Sequence, residues 1–274
     1  MQTTNYNPLL SLALNAAVLA GKEIKKVYSK DFAVELKQDQ SPLTEADKRS
    51  HNKIVQALSG STLPVLSEEG KAIDFSERSK WKMFWMIDPL DGTKEFIKRN
   101  GEFTVNIALI KNGEPVMGVI YAPVIDALYF GCEGLGSFRV NADEEYLSHL
   151  IQSSHVADKF VQAGQRLPVS KKDKTFTVVA SRSHMSDETQ KFIELLKEKH
   201  GEVNLISKGS SLKLCLVAEG SADVYPRFAP TMEWDTAAGQ AIARYAGFKV
   251  INVQDKNPML YNKTELLNPW FIVE

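Results

Sequence analysis

The chain has 274 residues, 43% hydrophobic and 24% charged, which excludes a disordered or fibrous protein and allows a large core without staples. Two cysteines, Cys132 and Cys215, lie far apart without metal-ligand spacing; a disulfide scaffold and a zinc site of cysteine pairs are excluded, and a reducing cytosol fits. Thirty-three basic against thirty-four acidic residues give a net charge of -1, too little to hold a nucleic acid by its phosphates but no bar to a small anionic substrate.

In chain order, Leu9 to Tyr28 reads as a helix, with apolar residues at helical spacing. No basic residue precedes Lys22, and the apolar stretch is too short to span a bilayer and carries Asn15, so it is expected in the core, with at most peripheral membrane contact. Phe32 to Leu36 is a candidate strand. Ser41-Pro42 is expected to start a second helix running to Leu58, stopped by Ser59-Gly60-Ser61. Strands are expected at Leu63 to Leu66 and Trp81 to Ile87. Phe103 to Ile110, Pro115 to Tyr121 and Ala127 to Phe130 then form an antiparallel set, with turns at Asn112-Gly113 and Pro123. The pattern fades between Val140 and Ser170, and the lobe boundary is expected there. Beyond it strands at 177–180, 203–206, 223–225 and 248–253 alternate with helices at 187–200, 210–218 and 235–245. An α+β lobe over 1–150 and a layered α/β lobe over 151–274 follow from this reading.

The densest chemical signal is Ile87-Asp88-Pro89-Leu90-Asp91-Gly92-Thr93. Carboxylates at the exit of an apolar strand are costly unless something cationic meets them. Pro89 is expected to end the strand and turn the chain, which aims both acids at one point and leaves the Leu90 carbonyl as a further hard ligand. Gly92 permits close approach, and Thr93 opens a helix whose N–H groups can hold a phosphate. Ser67-Glu68-Glu69-Gly70, Thr44 with Asp47 one helical turn on, and Glu233-Trp234-Asp235 at a helix mouth each put acids at the end of an apolar element. Any one of them alone is a solvated loop or a plain cap. Together they form an all-oxygen donor set, suited to Mg²⁺ or Mn²⁺ rather than zinc.

The order Asp-x-Ser-Pro-x-Thr-x-x-Asp (39–47), Ser-Glu-Glu (67–69), Asp-Pro-Leu-Asp-Gly-Thr-Lys-Glu-Phe (88–96) and Glu-Trp-Asp-x-Ala-Ala-Gly (233–239) resembles the inositol monophosphatase superfamily of Mg²⁺-dependent, lithium-sensitive phosphatases over nearly the whole chain. Ser181-Arg182-Ser183-His184, Gly209-Ser210-Ser211-Leu212-Lys213 and Tyr225-Pro226-Arg227 are similar to its 3'(2'),5'-bisphosphate nucleotidases. The resemblance implies a sandwich of alternating helix and sheet layers and two or three Mg²⁺ ions, replaceable by Mn²⁺. Glu68, Asp88 and the Leu90 carbonyl would hold one ion, and Asp88, Asp91 and Asp235 a second. Gly92 and Thr93 would receive the scissile phosphate. Thr93 and Asp47, assisted by Glu68, would activate the water. His184 would lie near the base or ribose, with Gly209, Ser210, Lys213 and Arg227 on the nucleotide and its 5'-phosphate. The implied reaction removes the 3'-phosphate of adenosine 3',5'-bisphosphate or its phosphosulfate analogue; inositol monophosphate or fructose 1,6-bisphosphate hydrolysis, and a non-catalytic nucleotide sensor, are the alternatives. Cys132, Cys215 and the histidines other than His184 are expected to be structural or exposed, and the Gly131 to Gly136 stretch a turn between strands.

Overall fold

The computed structural model describes residues 5–37, 42–169, 175–181 and 186–274. The candidate ligand His184, with Asp39, Ser41, Arg182 and Ser183 of the motifs above, lies outside the described residues. The chain opens with α1 (Asn7–Tyr28), β1 (Val34–Leu36), β2 (Pro42–Thr44), α2 (Glu45–Leu58), β3 (Val65–Ser67), α3 (Phe75–Arg78), β4 (Met83–Asp91) and α4 (Thr93–Ile97). Next come β5 (Thr104–Lys111), β6 (Glu114–Ala122), β7 (Ala127–Cys132), β8 (Gly136–Asn141), α5 (Glu144–Leu150), α6 (Val156–Ala163) and β9 (Gln165–Arg166). The remainder alternates as β10 (Phe176–Ser181), α7 (Asp187–His200), β11 (Val203–Lys208), α8 (Leu212–Ala218), β12 (Tyr225–Arg227), α9 (Glu233–Tyr245), β13 (Val250–Asn252) and β14 (Phe271–Val273).

Strands β3 to β9 form one seven-stranded sheet in sequence order, parallel between β3 and β4 and antiparallel elsewhere. Successive side chains of a strand point to opposite faces, so a sheet covered on both sides divides its apolar run between two cores. Trp85, Ile87, Val105, Ile107, Leu109, Val119 and Tyr121 pack with α1, α2, α5 and α6. Phe84, Met86, Ala108, Ile110, Ile120 and Tyr129 pack with α8 and α9. Beyond α8 and α9 lie the antiparallel sheet β12-β14-β13 and the parallel pair β10-β11, joined by a bridge between Val178 and Val224. Residues of α7 close the far side through Ile193, Phe192 and Leu196. Helix and sheet layers thus alternate, as the sequence implied.

Helix α9 sits close against the central sheet because glycines face it. A Cβ at Gly118 would fall 2.2 Å from the Ala238 carbonyl oxygen, and one at Gly131 would fall 2.9 Å from Ile242 Cα. Asn112 (φ 52°) and Gly113 (φ 81°) make the tight turn between β5 and β6, where both positions need positive φ.

Two expectations are corrected. The second helix begins at Glu45, not at Ser41-Pro42: Pro42–Thr44 pairs with β1 as a strand, and Thr44 and Asp47 form the capping box that fixes the start. Strand β4 does not end at Pro89. Asp88 pairs with Asn106 and Asp91 with Thr104, so three steps along β4 oppose two along β5, and Pro89 and Leu90 form a bulge within a continuing strand. The faded stretch holds two short amphipathic helices, α5 and α6, both contacting α1. At seven and eight residues they span about two turns each, too little for periodicity to register. Strands β8 and β14 were also unread.

Candidate active site

The parallel pairing of β3 with β4 ends at Ser67 opposite Ile87, which brings the next residues, Glu68 and Asp88, side by side; the Glu68 N–H donates to the Ile87 carbonyl at 3.2 Å. The first turn of α9 adds Asp235, whose carboxylate is oriented by the Met232 N–H at 2.9 Å. Carboxylate oxygens of Glu68, Asp88 and Asp235 all lie within 4.8 Å of one another. Asp91, past the bulge, accepts from the Asn106 amide at 3.4 Å. Asp88 is 1% exposed. Burial, reinforced by the charges of Glu68, Asp91 and Asp235, pushes its carboxyl well above the usual range. Burial and the Asp91 charge do the same to Asp235, and burial lifts Asp91 to about 6. Buried acids that repel one another this way are an incomplete arrangement, and a hard cation completes it. The donor set contains no His or Cys, so the residues fit a divalent metal bound by oxygen.

Lys37 Nζ lies 2.7 Å from Glu68 Oε1 and also pairs with Glu69. Burial works against this ammonium, but the two glutamates outweigh it and raise its pKa above the ordinary value. Sequence reasoning did not single out Lys37; a lone lysine after a short strand gives no signal.

Asp47, 2% exposed, faces Thr93. Its Oδ2 accepts from the Thr44 N–H (2.7 Å) and hydroxyl (2.6 Å), and its Oδ1 from the Thr93 hydroxyl (3.3 Å). Burial raises the Asp47 pKa against the opposing effect of the Thr44 hydrogen bonds. Ser50 Oγ donates to the Pro89 carbonyl at 2.6 Å, fastening α2 to the bulge, so the elements carrying Asp47 and Asp88 are locked together.

A cavity of about 410 Å³ joins these residues to the second half of the chain. Glu68, Asp88, Leu90, Asp91, Gly92, Thr93 and Asp235 line it, and so do Gly209, Ser210, Lys213 and Arg227. Asp47 touches it only through Thr93. Gly92 has φ 91°, and a Cβ there would lie 3.3 Å from the Glu102 carbonyl and from Ser210 Cβ. Lys213 Nζ donates to the carbonyls of Ser210 (2.6 Å) and Lys208 (3.3 Å). Burial lowers its pKa to about 8, against the pull of Asp91. Arg227 Nη2 donates to the Pro230 carbonyl at 2.9 Å. The N–H of Gly209, a residue expected to contact the nucleotide, donates to Glu102 Oε2 at 2.9 Å. The sequence did not single out Glu102, Thr104 or Asn106; the only signal was polar residues inside and just before an apolar strand.

Both thiols are buried, and burial lifts Cys132 to about 12 and Cys215 well above the ordinary thiol value, which disfavours the thiolate that a nucleophile needs. Among the described residues no helix is long and apolar enough to cross a membrane.

The sequence matches the inositol monophosphatase family over residues 5–270. It is 45% identical over 259 residues to the 3'(2'),5'-bisphosphate nucleotidase CysQ of Salmonella typhimurium, covering 93% of this chain and 94% of that one. The crystal structure of CysQ from Bacteroides thetaiotaomicron superposes with a TM-score of 0.89 at 50% identity, covering 98% of this chain and 97% of that one. The extragenic suppressor protein SuhB of Bartonella henselae is similar at a TM-score of 0.73 and 26% identity, with coverages of 97% and 93%.

Proposed function

The chain belongs to the inositol monophosphatase family, and from that premise we propose that it is a Mg²⁺-dependent 3'(2'),5'-bisphosphate nucleotidase that releases the 3'-phosphate of adenosine 3',5'-bisphosphate. The observation that carries this reading is that one cavity holds both an acidic cluster and a set of cations, the buried Lys213 and Arg227 among them. A substrate with two phosphates needs both: one phosphate among the acids by way of metal, the other on the cations.

Glu68, Asp88, the Leu90 carbonyl, Asp91 and Asp235 would hold two or three Mg²⁺ ions. When bound there, Mg²⁺ supplies positive charge that polarises phosphoryl oxygens and acidifies water. The rest is the work of side chains. Asp47 Oδ2 is held by two donors from Thr44, so Oδ1 is the atom left to work with Thr93. The attacking water gives its proton to Thr93 Oγ1 as the Thr93 proton passes to Asp47 Oδ1, and Glu68 helps orient the water. The raised Asp47 pKa makes it a stronger base than an exposed aspartate. Backbone N–H groups of Gly92 and Thr93 receive the scissile phosphate. Lys213 and Arg227, with Ser210 beside them, take the nucleotide and its 5'-phosphate, and His184 the base or ribose. Two buried, unreactive thiols accord with a reducing compartment such as the cytoplasm.

Phosphate release from adenosine 3',5'-bisphosphate, inositol 1-phosphate and fructose 1,6-bisphosphate, assayed side by side with Mg²⁺, tests the reading. Preference for the nucleotide is expected, with inhibition by lithium. Equal or greater turnover of inositol 1-phosphate would overturn it.

A further inference from the structure

The carbonyls that fix Lys213 belong to the 208–211 segment, and that segment is pinned by β5 and the residues leading into it. Glu102, 8% exposed, meets Lys208 Nζ with Oε1 at 3.1 Å and accepts the Gly209 N–H on Oε2 at 2.9 Å. Two residues on, Thr104 Oγ1 contacts Ser211 Oγ at 2.7 Å, and Ser211 Oγ also donates to Asn106 Oδ1 at 2.8 Å. Ser210 lies between the two clamps. Its φ is +43°, a left-handed conformation that serine adopts only when its surroundings impose it. Its carbonyl takes the 2.6 Å hydrogen bond from Lys213, and its buried hydroxyl has no partner among the described residues. The fit at the first clamp is close: a Cβ at Gly209 would stand 2.8 Å from the Glu102 carbonyl and 2.7 Å from Glu95 Cγ.

A carboxylate beside a pocket for anions is unfavourable on charge alone. Glu102 is tolerated because an ammonium and a backbone N–H engage its two oxygens, and that engagement fixes the loop. We propose that Glu102 is a positioning residue for the substrate's second phosphate. By clamping Lys208 and Gly209 it holds Ser210 in its left-handed turn, and so sets the carbonyls that aim the Lys213 ammonium into the cavity. The proposal rests on the nucleotidase reading above. It assigns Gly209 to loop anchorage, because its N–H is already engaged.

The test is steady-state kinetics of the full chain with Mg²⁺ on adenosine 3',5'-bisphosphate and adenosine 3'-monophosphate. Glu102→Ala is expected to raise KM for the bisphosphate roughly 10- to 100-fold, the loss of a charge-assisted hydrogen bond, with kcat and the monophosphate KM within about threefold. Glu102→Gln keeps an acceptor for the Gly209 N–H and is expected to restore most of that loss. Should the alanine variant not fold, Glu102→Asp, whose shorter side chain withdraws from Gly209, carries the same expectation. Equal losses on both substrates, a fall in kcat alone, an unchanged bisphosphate KM, or a glutamine variant as poor as alanine would each overturn the proposal. A wild-type enzyme that hydrolyses neither adenosine compound would overturn the functional reading instead.

Discussion

Lys213 and Asp88 show how single residues here trade stability for recognition. Lys213 is buried, and its ammonium is held by two carbonyls in the cavity wall. In the proposed role it meets the 5'-phosphate, so Lys213→Ala should raise KM for adenosine 3',5'-bisphosphate by about 10- to 150-fold, as expected for a charge-assisted contact of roughly 1.5–3 kcal/mol. Adenosine 3'-monophosphate lacks that phosphate and should be nearly unaffected. Equal effects on both substrates would show that Lys213 supports the fold or the acids instead. Asp88 illustrates the opposite trade. Its ionised form is opposed by burial and by three neighbouring acids. Asn keeps its shape and can still accept the Leu90 N–H, now 3.0 Å from Asp88 Oδ1. Asp88→Asn should therefore abolish Mg²⁺-dependent turnover while making the metal-free protein more stable, by about 1–3 kcal/mol, the cost of an uncompensated buried polar group. An inactive variant that is also less stable without metal would contradict this account of the acids.

At the scale of elements, the site is made by where strands and helices end, and that is the part the sequence carried least evenly. The acids at 68, 88, 91 and 235 could be read because carboxylates after apolar runs are locally conspicuous. Long elements were legible for the same reason: α1, α7 and the β5–β6–β7 meander each hold one periodicity for many residues. The β4 bulge was misread because proline forbids a ladder hydrogen bond locally, while the pairing of Asp91 with Thr104 that continues the strand comes from across the sheet. Glu102 and Lys37 were missed because their partners lie far along the chain, at 208–209 and 68–69. Close helix–sheet packing was equally invisible, since Gly118 looks like any glycine in a strand. Gly118→Ala tests it: the added methyl meets α9 backbone at 2.2 Å, and the helix must move. Overpacking of this kind costs about 1–3 kcal/mol or more, a fall in Tm of several degrees. Because Asp235 rides on the first turn of α9, apparent Mg²⁺ affinity should fall as well. A variant with wild-type Tm and wild-type Mg²⁺ dependence would show that α9 is not seated by this contact.

For the whole molecule, the buried acids couple folding to metal and to pH. Burial pushes the Asp91 carboxyl from an ordinary 3.8 up to about 6, and burial with like charge raises Asp88 and Asp235 in the same direction. A carboxyl whose pKa is raised by folding binds more protons folded than unfolded. Its contribution is fully present below the unfolded value and is lost as pH rises through the folded one. The metal-free protein should therefore lose stability as pH rises from about 4 to about 6.5, by about 3 kcal/mol for a displacement the size of that at Asp91 alone. Lys213, lowered to about 8, works the other way only above that window, and His51, lowered by burial, opposes the trend weakly within it. Mg²⁺ engages the deprotonated acids, so saturating metal should flatten or reverse the slope and raise Tm far more at about pH 6.5 than at about pH 4. Thermal melts of chelated and Mg²⁺-loaded protein across that range measure both effects. Asp88→Asn isolates the cluster, because without that acid the metal-free slope should shrink. A chelated wild type whose Tm moves with pH no differently from Asp88→Asn would mean that the acids lie too near solvent, or too far apart, to oppose one another as their geometry requires.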